Sequence, residues 1–392
     1  MAPSLNSAVV VDVVRTPSGR GKAGGALSEV HPVDLLATTL RGLLDRNDVD
    51  PADIDDVITG CVTQTGNQAV NIGRHAVLAA GLPESVPATT VDRQCGSSQQ
   101  AVHFAAQGIA SGAYDIAIAG GVESMSRVPM GSDKQGQDAY GALLRKRYPD
   151  GLVAQGIAAE VIAARWKIDR DELDRFAARS HQRAAEAAAA GVFDREILPI
   201  DGGRTDETVR PGTTPEKLAG LTPAFTNDRA KERFPEIDWR ITAGNSSPLT
   251  DGASAALIMS EEKAAALGLT PRARFHSFAI AGDDPILMLM GVLPATRKLL
   301  HNAGLSIEDI DVYEVNEAFA SVPLAWAREL GADPERLNIH GGAIALGHPL
   351  GASGTRLLAT MLTALETSGG RFGLQTMCEA GGLANAMIVE RL

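Results

Sequence analysis

Cysteine is scarce in this chain: among 392 residues only Cys61, Cys95 and Cys378 carry a thiol. Three thiols this far apart can frame neither a disulfide scaffold nor a zinc site, so each is either core filler or chemistry. Positive charge is also short. A formal net charge of −12 leaves no basic excess to neutralise a phosphate backbone, which argues against nucleic acid as a partner. Aromatic residues make up 4% while glycines number 41, a balance that points to closely packed helices and many turns. No run approaches the roughly eighteen apolar residues of a membrane span. The start, MAPSLNSAVVVDVVRTP, has no charged segment ahead of its apolar run, and the end, IVERL, is not the Ser-Lys-Leu address. The expectation is an unprocessed protein of the cytoplasm.

What is present is α/β alternation. AVVVDVV, HPVDLLATTLRGLLDRN, DIDDVITGCV, RHAVLAAG, ATTVD, QQAVHFAAQGIASG and DIAIAGG switch between β-branched runs and Ala/Leu helical patterns over the first 121 residues. From about 122 to 250 the texture becomes loop-rich, with two helical segments, AQGIAAEVIAARWKI and RDELDRFAARSHQRAAEAAAAGVF. Asp169 is placed to cap the second, with Glu172 three residues on. After Pro271 the first pattern returns: Ile54-Asp55 matches Ile310-Asp311, 256 positions apart (54 to 310). The same offset sets Cys95 against the turn in GHPLGASG. The division expected is one half from 1–121 and 251–270, an inserted helical and loop region at 122–250, and a second half at 271–392. If the halves are pseudo-twofold mates, the two helix N-termini converge on one central site.

Cys95, in VDRQCGSSQQA, stands at or just before a helix start, where unpaired N–H groups and a neighbouring base favour the thiolate. A buried Cys is equally ordinary as a small hydrophobe, and this stretch alone leaves both readings open. His348 lies in the mate turn between glycines and is placed to be a base. His75, His103 and His181 sit in helical patterns and read as structural; His340 reads as loop. Cys378 ends an apolar run before a glycine pair, whereas Cys61 continues a buried strand. Asn316 and Glu317 sit at another strand end, where Asn316 is either a donor in the site or a helix cap.

VDRQCGSSQQA, GGVESMS, TAGNSSPLTDGASAALIMS, VNEAFA, NIHGGAIALGHPLGASG and MCEAGG together resemble the thiolase family, in its order and across nearly the whole chain. The resemblance implies a five-layered α-β-α-β-α sandwich of two similar halves with an inserted loop domain, acting as a 3-ketoacyl-CoA thiolase (acetyl-CoA C-acyltransferase). It implies Cys95 as nucleophile, His348 as its base, Cys378 as acid/base at the acetyl methyl carbon, and Asn316 as holder of an oxyanion-binding water. It places Ser247 on the pantetheine arm of coenzyme A, with Leu249 and Gln155 as further substrate contacts. It implies no metal and no cofactor beyond coenzyme A as substrate, and a homodimer or homotetramer. Two departures stand out. Ala380 replaces the first glycine of the family's Cys-x-Gly-Gly-Gly, whose N–H joins that of Cys95 in a second oxyanion hole. Ala154-Gln155-Gly156 stands where short-chain members have His-Met-Gly, which favours a degradative enzyme with longer or bulkier acyl groups over a biosynthetic acetoacetyl-CoA thiolase. Condensing enzymes of the ketoacyl-synthase type share the fold but lack a second Cys after the last core strand. A silent acyl-CoA-binding relative would need none of Cys95, His348, Asn316 and Cys378.

Overall fold

The apolar runs become strands that alternate their side chains between two cores. In the computed structural model, which describes residues 7–392, the chain begins β1 (Ala8–Arg15), β2 (Gly19–Arg20), α1 (Pro32–Asn47), β3 (Asp56–Gly60), α2 (Ile72–Ala79), β4 (Ala88–Val91), α3 (Ser97–Ala110) and β5 (Ile116–Ser124). The middle stretch supplies α4 (Gly141–Arg147), α5 (Gln155–Arg165), α6 (Arg170–Ala189), α7 (Pro215–Ala219) and α8 (Asp228–Arg233). There follow β6 (Thr250–Ser260), α9 (Glu261–Ala266), β7 (Ala273–Gly282), α10 (Val292–Ala303), β8 (Val312–Val315), α11 (Ser321–Leu330), α12 (Ala343–Leu346), α13 (Ser353–Ser368), β9 (Phe372–Glu379) and β10 (Leu383–Arg391). Part of the N-terminal stretch read above for a targeting signal, residues 1–6, lies outside the described residues.

The strand order is β4-β3-β5-β6-β1-β7-β10-β9-β8. β3 pairs parallel with β4 and β5, and β8 pairs parallel with β9, whereas β6, β1, β7 and β10 run antiparallel to their neighbours. Among the described residues the two halves pair along the sheet where Val9 and Val10 meet Arg274 and Ala273. The sequence repeat reappears in the element starts: β3 and β8 begin at 56 and 312, α3 and α13 at 97 and 353, β5 and β9 at 116 and 372.

Period-two alternation sorts the side chains into layers. Ala253, Ala255, Leu257 and Met259 of β6 face α1 and α2, while Ala256 and Ile258 face α3 and α13. β8, β9 and β10 likewise turn Val312, Met387 and Val389 inward, and Tyr313, Leu374 and Ile388 outward onto α10, α11 and α5. The result is the α-β-α-β-α stack, with α3 and α13 as its central layer.

Those two helices meet at their N-termini almost backbone to backbone. A Cβ on Gly354 would lie 2.2 Å from Gln99 N, and Thr355 N donates to Ser98 Oγ at 3.0 Å. Gln375 Nε2 locks the junction by donating to Gly354 O at 2.7 Å and Gln99 Oε1 at 2.8 Å. The middle stretch is pinned to β1 by a buried ion-pair cluster: Arg15 donates to Glu196 at 2.7 Å and to both oxygens of Asp206 at 2.7 and 2.9 Å. Such buried charges are tolerated only because each is paired. Asp169 caps α6 as its position suggested, accepting from Glu172 N at 2.8 Å.

Gly354→Ala is a sharp test of the junction. Ala is the better helix former by about 1 kcal/mol, so an unconstrained position would gain stability. The expected outcome is instead a lower melting temperature and reduced turnover, read by thermal unfolding and by rate, because the methyl group has no room against Gln99.

Candidate active site

Cys95 sits in a tight turn just before α3. Gln94 adopts φ 48°, in the left-handed region, and Gly96 is the N-cap at φ −91°, ψ 10°. Ser97 braces the turn: its Oγ accepts from Arg93 N at 2.9 Å and donates to Gln94 O at 2.6 Å. The thiol is 2% exposed and packs with Met125, Leu350, Leu357 and Met377. Burial pushes it well above the ordinary thiol range, and nearby Cys378 and Glu379 add to the shift. The resting group is therefore a neutral thiol. The sequence expectation of a thiolate favoured by the helix end is not met, because desolvation of the charged form outweighs the helix terminus.

His348 lies five residues before α13, ahead of a short 3-10 turn rather than in a helix. It is buried, and its N–H donates to Thr250 Oγ1 at 3.0 Å. Its Nδ1 lies 2.6 Å from Ser353 Oγ, whose own proton goes to Pro349 O at 2.8 Å. The hydroxyl must therefore accept from Nδ1–H, and that assignment leaves Nε2 as the free base. Asn316 Nδ2 stands 3.4 Å from Nε2. Burial, with a smaller contribution from Arg356, lowers the imidazole pKa to about 3, so the ring is neutral at pH 7.

Asn316 follows β8 and joins the remaining groups. Its Nδ2 is also 3.6 Å from Cys378 Sγ, and its Oδ1 is buried without a partner among the described residues. Cys378, next to last in β9, is pushed up to about 11, chiefly by burial. The following glycines, Gly381 and Gly382, take φ 89° and 80°, whereas Ala380 is not among the positive-φ residues. A side chain at 380 is therefore unstrained, and its N–H remains a donor.

Ser247 is half-buried and its N–H donates to Ala318 O at 3.0 Å, which seats the GNSSPL loop on the Asn316 loop. Leu249 is 52% exposed, and Gln155 is the first residue of α5. Beside that first turn a cavity of about 480 Å³ is lined by Tyr148, Leu152, Val153, Ile157, Arg229 and Phe234. The catalytic candidates do not line it. Next to Gln155, Gly156 lies against Phe225, which meets Phe319 edge-on at 5.8 Å.

Three other histidines have structural contacts: His103 packs against Phe278 at 4.7 Å, His181 accepts from Arg210 N, and His340 meets Thr367. Cys61 is buried one residue past the end of β3. Two contributors escaped sequence reading. Ser353 was legible only as another Ser in GASG, and Glu123, in GGVESMS, accepts from Val62 N, Thr63 N and Gly351 N at 3.0, 3.1 and 2.9 Å, tying the loop after β3 and the His348 turn to β5.

Residues 8–262 match the family described as Thiolase, N-terminal domain, and residues 269–391 the family described as Thiolase, C-terminal domain. The chain is a member of the thiolase family. This thiolase is 48% identical over 400 residues to "Steroid 3-ketoacyl-CoA thiolase FadA6" of Mycobacterium tuberculosis, covering 99% of this chain and 95% of that one. It is 46% identical to a "3-ketoacyl-CoA thiolase" of Aliivibrio salmonicida, covering 99% and 100%. Among solved structures it resembles the Bacillus anthracis acetyl-CoA acetyltransferase, with TM-score 0.88, 38% identity and full coverage of both chains.

A neutral Cys95 and a neutral His348 predict the pH dependence of alkylation in the free thiolase. The rate at which iodoacetamide labels Cys95, followed by peptide mass, is expected to keep rising past about pH 8.5, the ordinary thiol value. A plateau below neutrality would mean a preformed thiolate–imidazolium pair.

Proposed function

We propose that this thiolase cleaves 3-ketoacyl-CoA with coenzyme A in the degradative direction, releasing acetyl-CoA and a shortened acyl-CoA. The observation that carries the reading is the convergence at Asn316, whose Nδ2 lies 3.4 Å from the free His348 Nε2 and 3.6 Å from the Cys378 thiol. Cys95 passes its proton to His348 Nε2 and attacks the 3-keto carbon. The C2–C3 bond then breaks, its electron pair leaving as the acetyl-CoA enolate, and Cys378 protonates C2. Coenzyme A gives its thiol proton to the Cys378 thiolate and attacks the acyl–Cys95 thioester; the departing Cys95 recovers the proton held on His348. The unpartnered Asn316 Oδ1 suits a water that, with His348 Nε2–H, would hold the thioester oxyanion. The N–H groups of Cys95 and Ala380 suit the second oxyanion, and Ser247, Leu249 and Gln155 the coenzyme A side.

A bulky acyl group is favoured over acetyl. The similarity to a relative named for steroid substrates supports it, as does the room beside α5, where Tyr148, Leu152, Val153 and Phe234 line a cavity together with Arg145, Arg229 and Arg233. Ala154, one of the residues lining that cavity, has a side chain too small to fill it. The half-domain division drawn from the repeat, with 122–250 carrying the acyl and coenzyme A contacts, belongs to the same reading. β4 is an outer strand, and Phe104 of the adjoining α3 stands 42% exposed, which suits pairing with a second copy, singly or as a tetramer. Three unpaired thiols fit a cytoplasmic setting.

The test is thiolysis of acetoacetyl-CoA, a long straight-chain 3-ketoacyl-CoA and a steroid side-chain 3-ketoacyl-CoA, each with coenzyme A. The expected outcome is a kcat/KM for the ring-bearing substrate at least about tenfold above acetoacetyl-CoA. Preference for acetoacetyl-CoA would favour the biosynthetic reading, and binding without turnover of any substrate would favour a silent binder.

A further inference from the structure

Glu379 is a buried carboxyl group that the chemistry above leaves unused. It ends β9, between Cys378 and Ala380. Strand alternation sends its side chain to the face opposite Cys378, the face from which Met377 packs on Cys95. There it lies directly on Gly96: a Cβ at Gly96 would sit 1.9 Å from Glu379 Oε1 and 2.9 Å from Asn385 Oδ1. Asn385, on β10, donates through Nδ2 to Gly96 O at 3.0 Å. Residue 96 follows the nucleophile and residue 380 follows Glu379. One side chain thus braces both backbone segments whose N–H groups would surround the thioester oxygen.

We propose that Glu379 is a positioning residue for thiolysis: wedged between the Cys95 turn and the end of β9, it sets the spacing of the Cys95 and Ala380 N–H groups. The proposal rests on the reading of Cys95 as nucleophile. Such a wedge serves best uncharged, because a carboxylate there would oppose both the Cys95 thiolate and the oxyanion. The surroundings keep it so. Burial raises its pKa to about 9, and Arg93 and the Asn385 N–H, which face it, offset only part of that cost. Neither oxygen makes a well-formed hydrogen bond among the described residues. The charged and titratable groups near it are Asp92 and Arg93 from the loop before α3 and Cys95 from the turn, with Cys378 its neighbour in β9 on the opposite face; β10 presents the uncharged Asn385. Glu379 is then protonated at pH 7 and ionises as pH rises through about 9.

The experiment compares thiolysis by wild type, Glu379→Ala, Glu379→Gln and Cys95→Ala across pH, with melting temperatures measured alongside. Glu379→Ala is expected to lose about 10- to 100-fold in kcat with little change in KM, the cost of a loosened site. Glu379→Gln is expected to recover most of that loss, and its alkaline fall in kcat/KM should move to higher pH than in the wild type, since an amide cannot ionise. Full kcat in a folded Glu379→Ala protein would overturn the proposal, as would an unchanged alkaline limb in Glu379→Gln. Should the Ala variant fail to fold, the Gln profile decides alone. An active Cys95→Ala protein would instead sink the nucleophile reading on which the proposal stands.

Discussion

The close approach of two helix N-termini is the constraint on which the rest of the site depends. α3 carries the Cys95 turn at its start and α13 follows the His348 turn, so the depth of their contact sets how near nucleophile and base can come. Glycine makes that depth available. A Cβ on Gly354 would sit 2.2 Å from Gln99 N, and one on Gly121 of β5 would sit 2.0 Å from Gly351 O in the His348 turn. Glu123 of β5 then ties the loop after β3 to the His348 turn, through N–H groups from both halves. Geometry that would be costly at one helix end is affordable here because each half supplies what the other lacks.

Burial, rather than charge, tunes the groups assembled there. It raises both active-site thiols and lowers His348, so the site rests as neutral acids beside a neutral base. A neutral site suits chemistry in which charge appears only in passing, first as thiolate and oxyanion and then as enolate, because fixed N–H donors in a dry pocket stabilise such charge strongly. Ser353 completes the arrangement by selecting the His348 tautomer that leaves Nε2 free. The buried polar residues of the site therefore act mainly by orientation.

Much of this was legible in the sequence, and for physical reasons. β-Branched runs and Ala/Leu periodicity are local signals, so strands such as β1 and helices such as α1 and α6 could be read directly. The repeat between Ile54-Asp55 and Ile310-Asp311 carried longer-range information and reappears in the element starts. The protonation of Cys95 was misread, because a helix N-terminus can be seen in sequence whereas the desolvation opposing it arises from Met125, Leu350, Leu357 and Met377, which are far apart in the chain. Ser353 and Glu379 were passed over for the same reason. Nothing near Glu379 in MCEAGG says that its carboxyl group rests on Gly96, 283 positions away (96 to 379).

The central claim is that the acyl group passes through Cys95. It is tested most directly by mixing the protein with a 3-ketoacyl-CoA in the absence of free coenzyme A, quenching in acid, and locating the adduct by peptide mass. The account predicts the shortened acyl group as a thioester on the Cys95 peptide, discharged when coenzyme A is added before quenching. An adduct on Cys378 with Cys95 unmodified, or turnover with no covalent intermediate at any time, would contradict it.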